Sequence, residues 1–238
     1  AASRDGDLIR YHNHLVTYLV TALLAATAGR PINDPFESAG QFNLDARLVF
    51  INDKSDDGIH RGRLVPLPDA VTALMQRVYF PHLKQLAEAI AEARSELARD
   101  ILALSEQQAA PLPLFFLLSS EGNWLSVKKG DLEKSSLFAW PLPANLFRHR
   151  FSQQLSQSGV DSEVIDGWMG HVESGVATYG DYSARCWRDD AERYRPVVNE
   201  LFDRLGFQAV GRWQGKAAIT LQPRMAADTQ PHRIFGAQ

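Results

Sequence analysis

The segment covering residues 7–28 constrains the fold most. Leu8, Leu15, Leu19, Leu23 and Leu24 recur there at helical spacing, so a long helix must bury one face along its whole length. Gly29 follows as a C-terminal cap, and Pro31 stops the helix. The most apolar part, residues 15–29, is interrupted by threonines and is too short to span a membrane. The opening "AASRDGDLIRYHNH" is polar and holds no apolar core of a signal peptide. Cys186 is the single cysteine, which excludes a disulfide framework and a cysteine-based zinc site. These features predict a cytoplasmic protein with no membrane partner.

The remaining pattern is mostly helical. Residues 45–68 read as a β-hairpin, with "RLVFIN" and "RLVPLP" flanking a polar loop that contains Asp-Asp-Gly. A short helix is expected over 69–78 and a longer one over 82–106, where Leu83, Leu86, Ile90, Leu97 and Leu104 keep a near-heptad rhythm. "APLPLFFLLSSEGNW" reads as a loop entering a buried strand or short helix. Residues 144–158 form a helix closed by Gly159, Asp161 caps a short helix reaching Met169, and a last helix over 188–205 ends at Gly206. The fold class is therefore α+β, mainly α with a small antiparallel β-sheet. Residues 1–205 form one domain, and 206–238 form a tail or docking segment.

The net charge is −3 and the isoelectric point about 6.2. A protein whose whole surface binds nucleic acid is usually basic, so any such contact here belongs to a local basic cleft. Polar residues suited to one punctuate otherwise apolar elements. Arg30 follows the first helix, Lys54 sits in the hairpin loop, and Asn145 and Arg148 lie three residues apart on one side of a helix. His171 follows Gly170, with Tyr179 and Tyr182 in "ATYGDYS" beyond it.

These residue types suit phosphodiester chemistry. Arginine forks bind non-bridging oxygens bidentately and stay charged as phosphorus becomes pentavalent. Histidine donates to that charge or handles a proton. Lysine on a hairpin can protonate a departing 5′-oxygen, and tyrosine is a competent nucleophile toward a polarised phosphate. The set needs neither metal nor cofactor, because the arginines supply the positive charge.

Order and context resemble the tyrosine recombinase (phage integrase) family over residues 10–205. "LLAATAGRPINDPFESAGQFNLD" is similar to the family's first-arginine box, and "FINDKSDDGIHRGRLVPLP" to its lysine hairpin. "NLFRHRFSQQLSQSGVDSEVIDGWMGH" resembles its most distinctive stretch, His-x-x-Arg-His followed by Gly-Val-Asp and Leu-Gly-His. The resemblance implies that Arg30 and Arg148 clamp a scissile phosphate, that Lys54 is the general acid and that His171 assists. Asn145 stands where the family has histidine, and it can donate a hydrogen bond but cannot exchange a proton near neutrality. The nucleophile is Tyr182, with Tyr179 as the alternative, and neither spacing from His171 is the family's usual one. The implied activity is site-specific recombination or integration of double-stranded DNA. It proceeds through a 3′-phosphotyrosine intermediate, in a tetramer of this chain around two duplexes.

Two other readings stay open. One is a catalytically silent integrase-fold module that binds DNA or protein, which Asn145, the displaced tyrosine and the acidity suggest. The other is a DNA-relaxing enzyme of the type IB topoisomerase kind. Arg150, Lys128 and Lys129 are expected to contact DNA, and Arg63 is either a backbone contact or structural. His12, His14, His60, His82 and His232 show no metal-ligand spacing with carboxylates. On the catalytic reading, neutralising Arg148 abolishes cleavage and leaves the fold intact.

Overall fold

Helix α1 (Asp5–Thr27) is covered on nearly every side. Val16, Leu19, Val20, Ala22 and Leu23 are wholly buried, and Leu24, Ala25 and Ala26 almost so. Its threonines fit this setting because their hydroxyls donate back along the helix, Thr17 to the Asn13 carbonyl, Thr21 to Thr17 and Thr27 to Leu23. The computed structural model describes residues 5–30, 32–52, 62–133, 146–171, 179, 184–207, 210, 211 and 213. Among these, no helix is long and apolar enough to cross a membrane.

The expected hairpin is present as part of a three-stranded antiparallel sheet, β1 (Phe42–Asn43), β2 (Leu48–Ile51) and β3 (Arg63–Pro66), in the order β1-β2-β3. The register pairs Val49 with Val65 and Ile51 with Arg63. Val49, Ile51 and Val65 enter the core while Phe50 stays exposed. The Phe50 ring lies over Gly62, where an added Cβ would fall 1.9 Å from the ring. A second ribbon, β4 (Phe116–Leu118) with β5 (Trp124–Ser126), answers the apolar run after "APLPL" with a strand. Asn13 of α1 holds it at both polar atoms of the Leu118 backbone, at 2.9 and 2.8 Å.

Three boundaries differ from the sequence expectation. Helix α2 (Asp69–Leu74) runs through a π-helical turn (Met75–Tyr79) into α3 (Phe80–Ile90). The single helix expected over 82–106 is two, because the chain turns at 91–94 and returns as α4 (Ser95–Ser105). Leu83, Leu86 and Ile90 on one arm and Ile101 and Leu104 on the other all enter the same core, so a helical hairpin satisfies the same periodicity. Gly29 is not the left-handed cap, since Ala28 takes that conformation with φ of 54°.

After α5 (Lys129–Glu133) come α6 (Leu146–Gln157), α7 (Ser162–Met169) and α8 (Trp187–Asp203). They build a second apolar cluster around Phe151, Leu155, Trp168 and Leu201, which Ala28 joins from the end of α1. Asp161 holds the N-cap position of α7, but its side chain makes no cap hydrogen bond and pairs with Arg185 instead. Beyond α8, Phe207, Val210 and Trp213 pack against the first core, and the Tyr11 hydroxyl donates to the Gly211 carbonyl. The rest of the expected tail lies outside the described residues.

The first core contains a buried histidine pair joining α1, α3 and β4. His12 Nε2 lies 2.9 Å from the Phe116 carbonyl, which can only accept, so that nitrogen carries the proton. His12 Nδ1 therefore accepts from His82 Nε2 at 3.2 Å, and His82 Nδ1 is left buried without a hydrogen bond. Burial holds His82 down to about 4 and His12 well below its usual value, with the neighbouring His82 adding to the effect. Unfolded imidazoles take up protons near pH 6.5, so below that pH the unfolded state binds more protons. Stability present above about pH 6.5 is thus lost on acidification toward pH 4, by roughly 3 kcal/mol through His82 alone. Urea titrations at about pH 7 and about pH 4.5 measure this; equal unfolding free energies would contradict the neutral pair.

Candidate functional site

The ends of α1 and α7 and the starts of β3 and α6 meet at the boundary between the two apolar clusters. Their meeting point is the carbonyl of Ala28. Arg148, in the first turn of α6, donates from Nη1 to that oxygen at 2.9 Å and from Nη2 to the Met169 carbonyl at the end of α7. Arg63, the first residue of β3, donates to the same Ala28 oxygen at 3.4 Å. Both arginines are buried. Helix C-termini leave unsatisfied carbonyls and a partial negative charge, and a guanidinium fork answers both.

Gly170 allows this approach. Its φ is +66°, and an added Cβ would lie 3.2 Å from Arg63 Cδ and 3.5 Å from Nη1. His171 comes next, half exposed, with its backbone N–H on the Asp166 carbonyl at 2.8 Å. Its Nδ1 is 3.2 Å from the Asp166 carboxylate. A carboxylate only accepts, so Nδ1 carries a proton there and the ring presents Nε2 on its other edge. Arg30 is exposed two residues after Ala28. It lines a shallow depression with Ile32, Gln41, Ile51 and Asn52, at the end of β2 where the chain departs toward Lys54.

The structure therefore bonds Arg148 to the backbone two residues before His171, at Met169, and two residues before Arg30, at Ala28. Lys54, Asn145 and Tyr182 lie outside the described residues, although the strands bracketing Lys54 are paired at Ile51 and Arg63. Arg63 is 6% exposed and packed on Ala28 and Gly170. Arg150 is exposed on α6 beside Gln154. Lys128 and Lys129 are exposed at the start of α5. The Lys129 backbone N–H donates to Asn33 at 3.3 Å, which sets that end of α5 against the loop after Arg30. Among the described residues, no group of three or more histidine, cysteine or acidic side chains could hold a metal.

Tyr179 is committed elsewhere. Its hydroxyl donates to Asp190 Oδ2 at 3.1 Å. Burial, followed by the Asp190 charge, pushes its phenol well above the usual value. Arg185 shares that carboxylate, with Nη1 at 3.5 Å, and also pairs with Asp161 and Glu163. Sequence reasoning passed over Asp166, Arg185 and Asp190. The only available signal for Asp166 was its place one turn before the Gly-His pair.

Comparison of the chain with protein-family models, characterised proteins and solved structures finds no match.

The geometry gives Arg148 a structural task that the catalytic expectation did not include. Arg148→Ala strips the Met169 carbonyl of its guanidinium donor and leaves the Ala28 carbonyl to Arg63 alone, and should cost about 2 kcal/mol of unfolding free energy. Arg148→Lys, which keeps the charge without the fork, should recover only part of that. Gly170→Ala should cost about 1–3 kcal/mol through its positive φ and the contact with Arg63. Urea denaturation measures all three, and variants as stable as the wild type would remove Ala28 from the account.

Proposed function

We propose that this chain is the catalytic domain of a tyrosine recombinase or integrase, with the fold of that family, and that it cleaves and rejoins double-stranded DNA. The observation that carries the reading is the meeting of Arg148 with the Met169–His171 turn and the Ala28–Arg30 turn. Three motifs distant in sequence share one small region in the order that the resemblance requires.

In this reading Arg30 and Arg148 hold the two non-bridging oxygens of a phosphodiester, and His171 Nε2 donates to the developing charge. The hydroxyl of Tyr182 attacks phosphorus. A 3′-phosphotyrosine bond forms, the bond to the 5′-oxygen breaks, and Lys54 delivers a proton to that oxygen. A 5′-hydroxyl from a partner strand then reverses the step, so the bond energy is retained without a metal or cofactor. Asn145 donates a hydrogen bond to the phosphate without exchanging a proton. The DNA backbone follows Arg150, Lys128 and Lys129, and recombination proceeds in a tetramer. Tyr182 is favoured over Tyr179 because the Tyr179 hydroxyl is already given to Asp190.

One observation favours a second reading. Both terminal nitrogens of Arg148 bond to backbone carbonyls, which suits a structural clasp in a DNA-binding module without chemistry. A covalent adduct separates the two. The chain is mixed with a random-sequence library of labelled duplexes, nicked so that the released 5′-hydroxyl fragment diffuses away. A protease-sensitive, detergent-resistant adduct is expected with wild type and Tyr179→Phe, and none with Tyr182→Phe. DNA binding without an adduct from wild type would replace the strand-transfer reading with the silent module. Relaxation of any supercoiled plasmid would replace site-specific recombination with topoisomerase action.

A further inference from the structure

We infer a small-molecule site in the cavity between α2 and the end of α8. It takes a free monocarboxylate with one short apolar chain or one ring, seated along α2 with its carboxylate on Arg77. The inference is independent of the strand-transfer reading.

The cavity measures about 220 Å³, whereas close-packed interiors leave few voids larger than a water molecule. One wall is a helical stripe. Ala70, Val71, Ala73, Leu74, Arg77 and Val78 line it, at the spacing of a single helix face. The two alanines leave the room that larger side chains would fill. The stripe runs on into the π-helical turn (Met75–Tyr79), which carries Arg77 and Val78. Such turns are rare single-turn bulges within α-helices and recur at functional sites. Tyr79 fixes this one to the core: it is wholly buried, and its hydroxyl donates to the Leu114 carbonyl at 2.5 Å.

The facing wall is aromatic and preformed. Phe207 stacks on Phe202 with ring centroids 5.1 Å apart and meets Tyr18 edge-on at 5.6 Å. All three rings line the cavity, and each braces another, so the wall stands without a ligand. Apolar walls with few polar groups are the usual construction of a ligand site. Among the described lining residues Arg77 alone carries a charge, and it is exposed. An apolar body therefore fills the interior while one negative charge meets the guanidinium. Its fork matches a carboxylate, and its five N–H donors can serve a ligand alongside a protein partner. Asp69, the acid at the head of α2, is already engaged by Arg47 and Asn199, each at 3.0 Å. Size narrows the class further. A cavity of about 150 Å³ accepts benzene, and drug-sized sites run to about 300–1,000 Å³. This one falls between them, which suits a single short chain or one ring.

The probe is octanoate, with octan-1-ol as its uncharged counterpart. Each is titrated into the full chain near neutral pH and followed by amide chemical shifts. Wild type should bind octanoate saturably, with a millimolar or tighter dissociation constant and the largest shifts along α2 and around Phe202 and Phe207. Arg77→Gln should weaken octanoate about fivefold and change octan-1-ol by less than about twofold. Ala73→Phe, which puts a ring into the cavity, should abolish binding of both; Ala70→Phe is the second filler if that variant does not fold. No saturable octanoate binding to wild type would overturn the site. Binding that survives both fillers would overturn its location. Arg77→Gln affecting both probes equally, or neither, would overturn the carboxylate assignment. A ligand-free dimer in sedimentation that Ala73→Phe abolishes would assign the cavity to a second copy of the chain and overturn the small-molecule reading.

Discussion

The carbonyl oxygen of Ala28 is the point on which the rest of the structure depends. Two guanidinium groups from different elements, Arg63 on β3 and Arg148 on α6, converge on it. The oxygen faces them because α1 ends with a left-handed alanine, a conformation that costs a non-glycine residue about 1–2 kcal/mol. Charge-assisted bonds to a buried acceptor are each worth about that much or more, so the strain persists. This atom lies where the core around α1 and the sheet meets the core of α6, α7 and α8.

The same arrangement orients charge. Arginines are rarely buried unless paired, and here the partners are backbone carbonyls at two helix ends, which complement the cations without neutralising them. The guanidinium planes of Arg63 and Arg148 are fixed by the fold and do not wait for a ligand to order them. Such preorganisation is what electrostatic stabilisation of a phosphorane-like transition state requires. His171 is treated similarly: the Asp166 carboxylate sets its tautomer, and the left-handed Gly170 sets its backbone. On the proposed strand-transfer reading, structural and chemical demands on these residues are coupled, and a stability defect and an activity defect at Arg148 would share one cause.

Much of this was legible in the sequence because it depends on local pattern. The strands at 48–51 and 63–66 follow from two β-rich runs flanking a polar loop, and α1 follows from its leucine spacing. The order of Arg30, Arg148 and His171 was readable from motifs. What escaped depends on tertiary contact. The turn at 91–94 contains no glycine or proline, and both arms of the hairpin share one apolar rhythm. Gly29 looked like the cap by residue type, yet a Cβ there would lie 3.2 Å from Leu24 and 3.4 Å from Phe36, so close packing accounts for the glycine while Ala28 carries the turn. Asp161 looked like a cap because it precedes a helix, but Arg185, distant in sequence, competes for its carboxylate. Asp190 gives no sequence signal beyond its place in the first turn of α8. Its burial arises only when Tyr179 and Arg185 close over it.

The central claim is that Arg30, Arg148 and His171 address one phosphate. The most direct measurement is a crystal structure of the chain with duplex DNA and vanadate, which adopts the five-coordinate geometry of the transferring phosphorus. The account predicts vanadium within hydrogen-bonding reach of the Arg30 and Arg148 guanidinium groups and of His171 Nε2, with the Tyr182 oxygen in line. Vanadate bound away from the Ala28–Gly170 junction, or DNA bound with Arg148 contacting only the Ala28 and Met169 carbonyls, would contradict it.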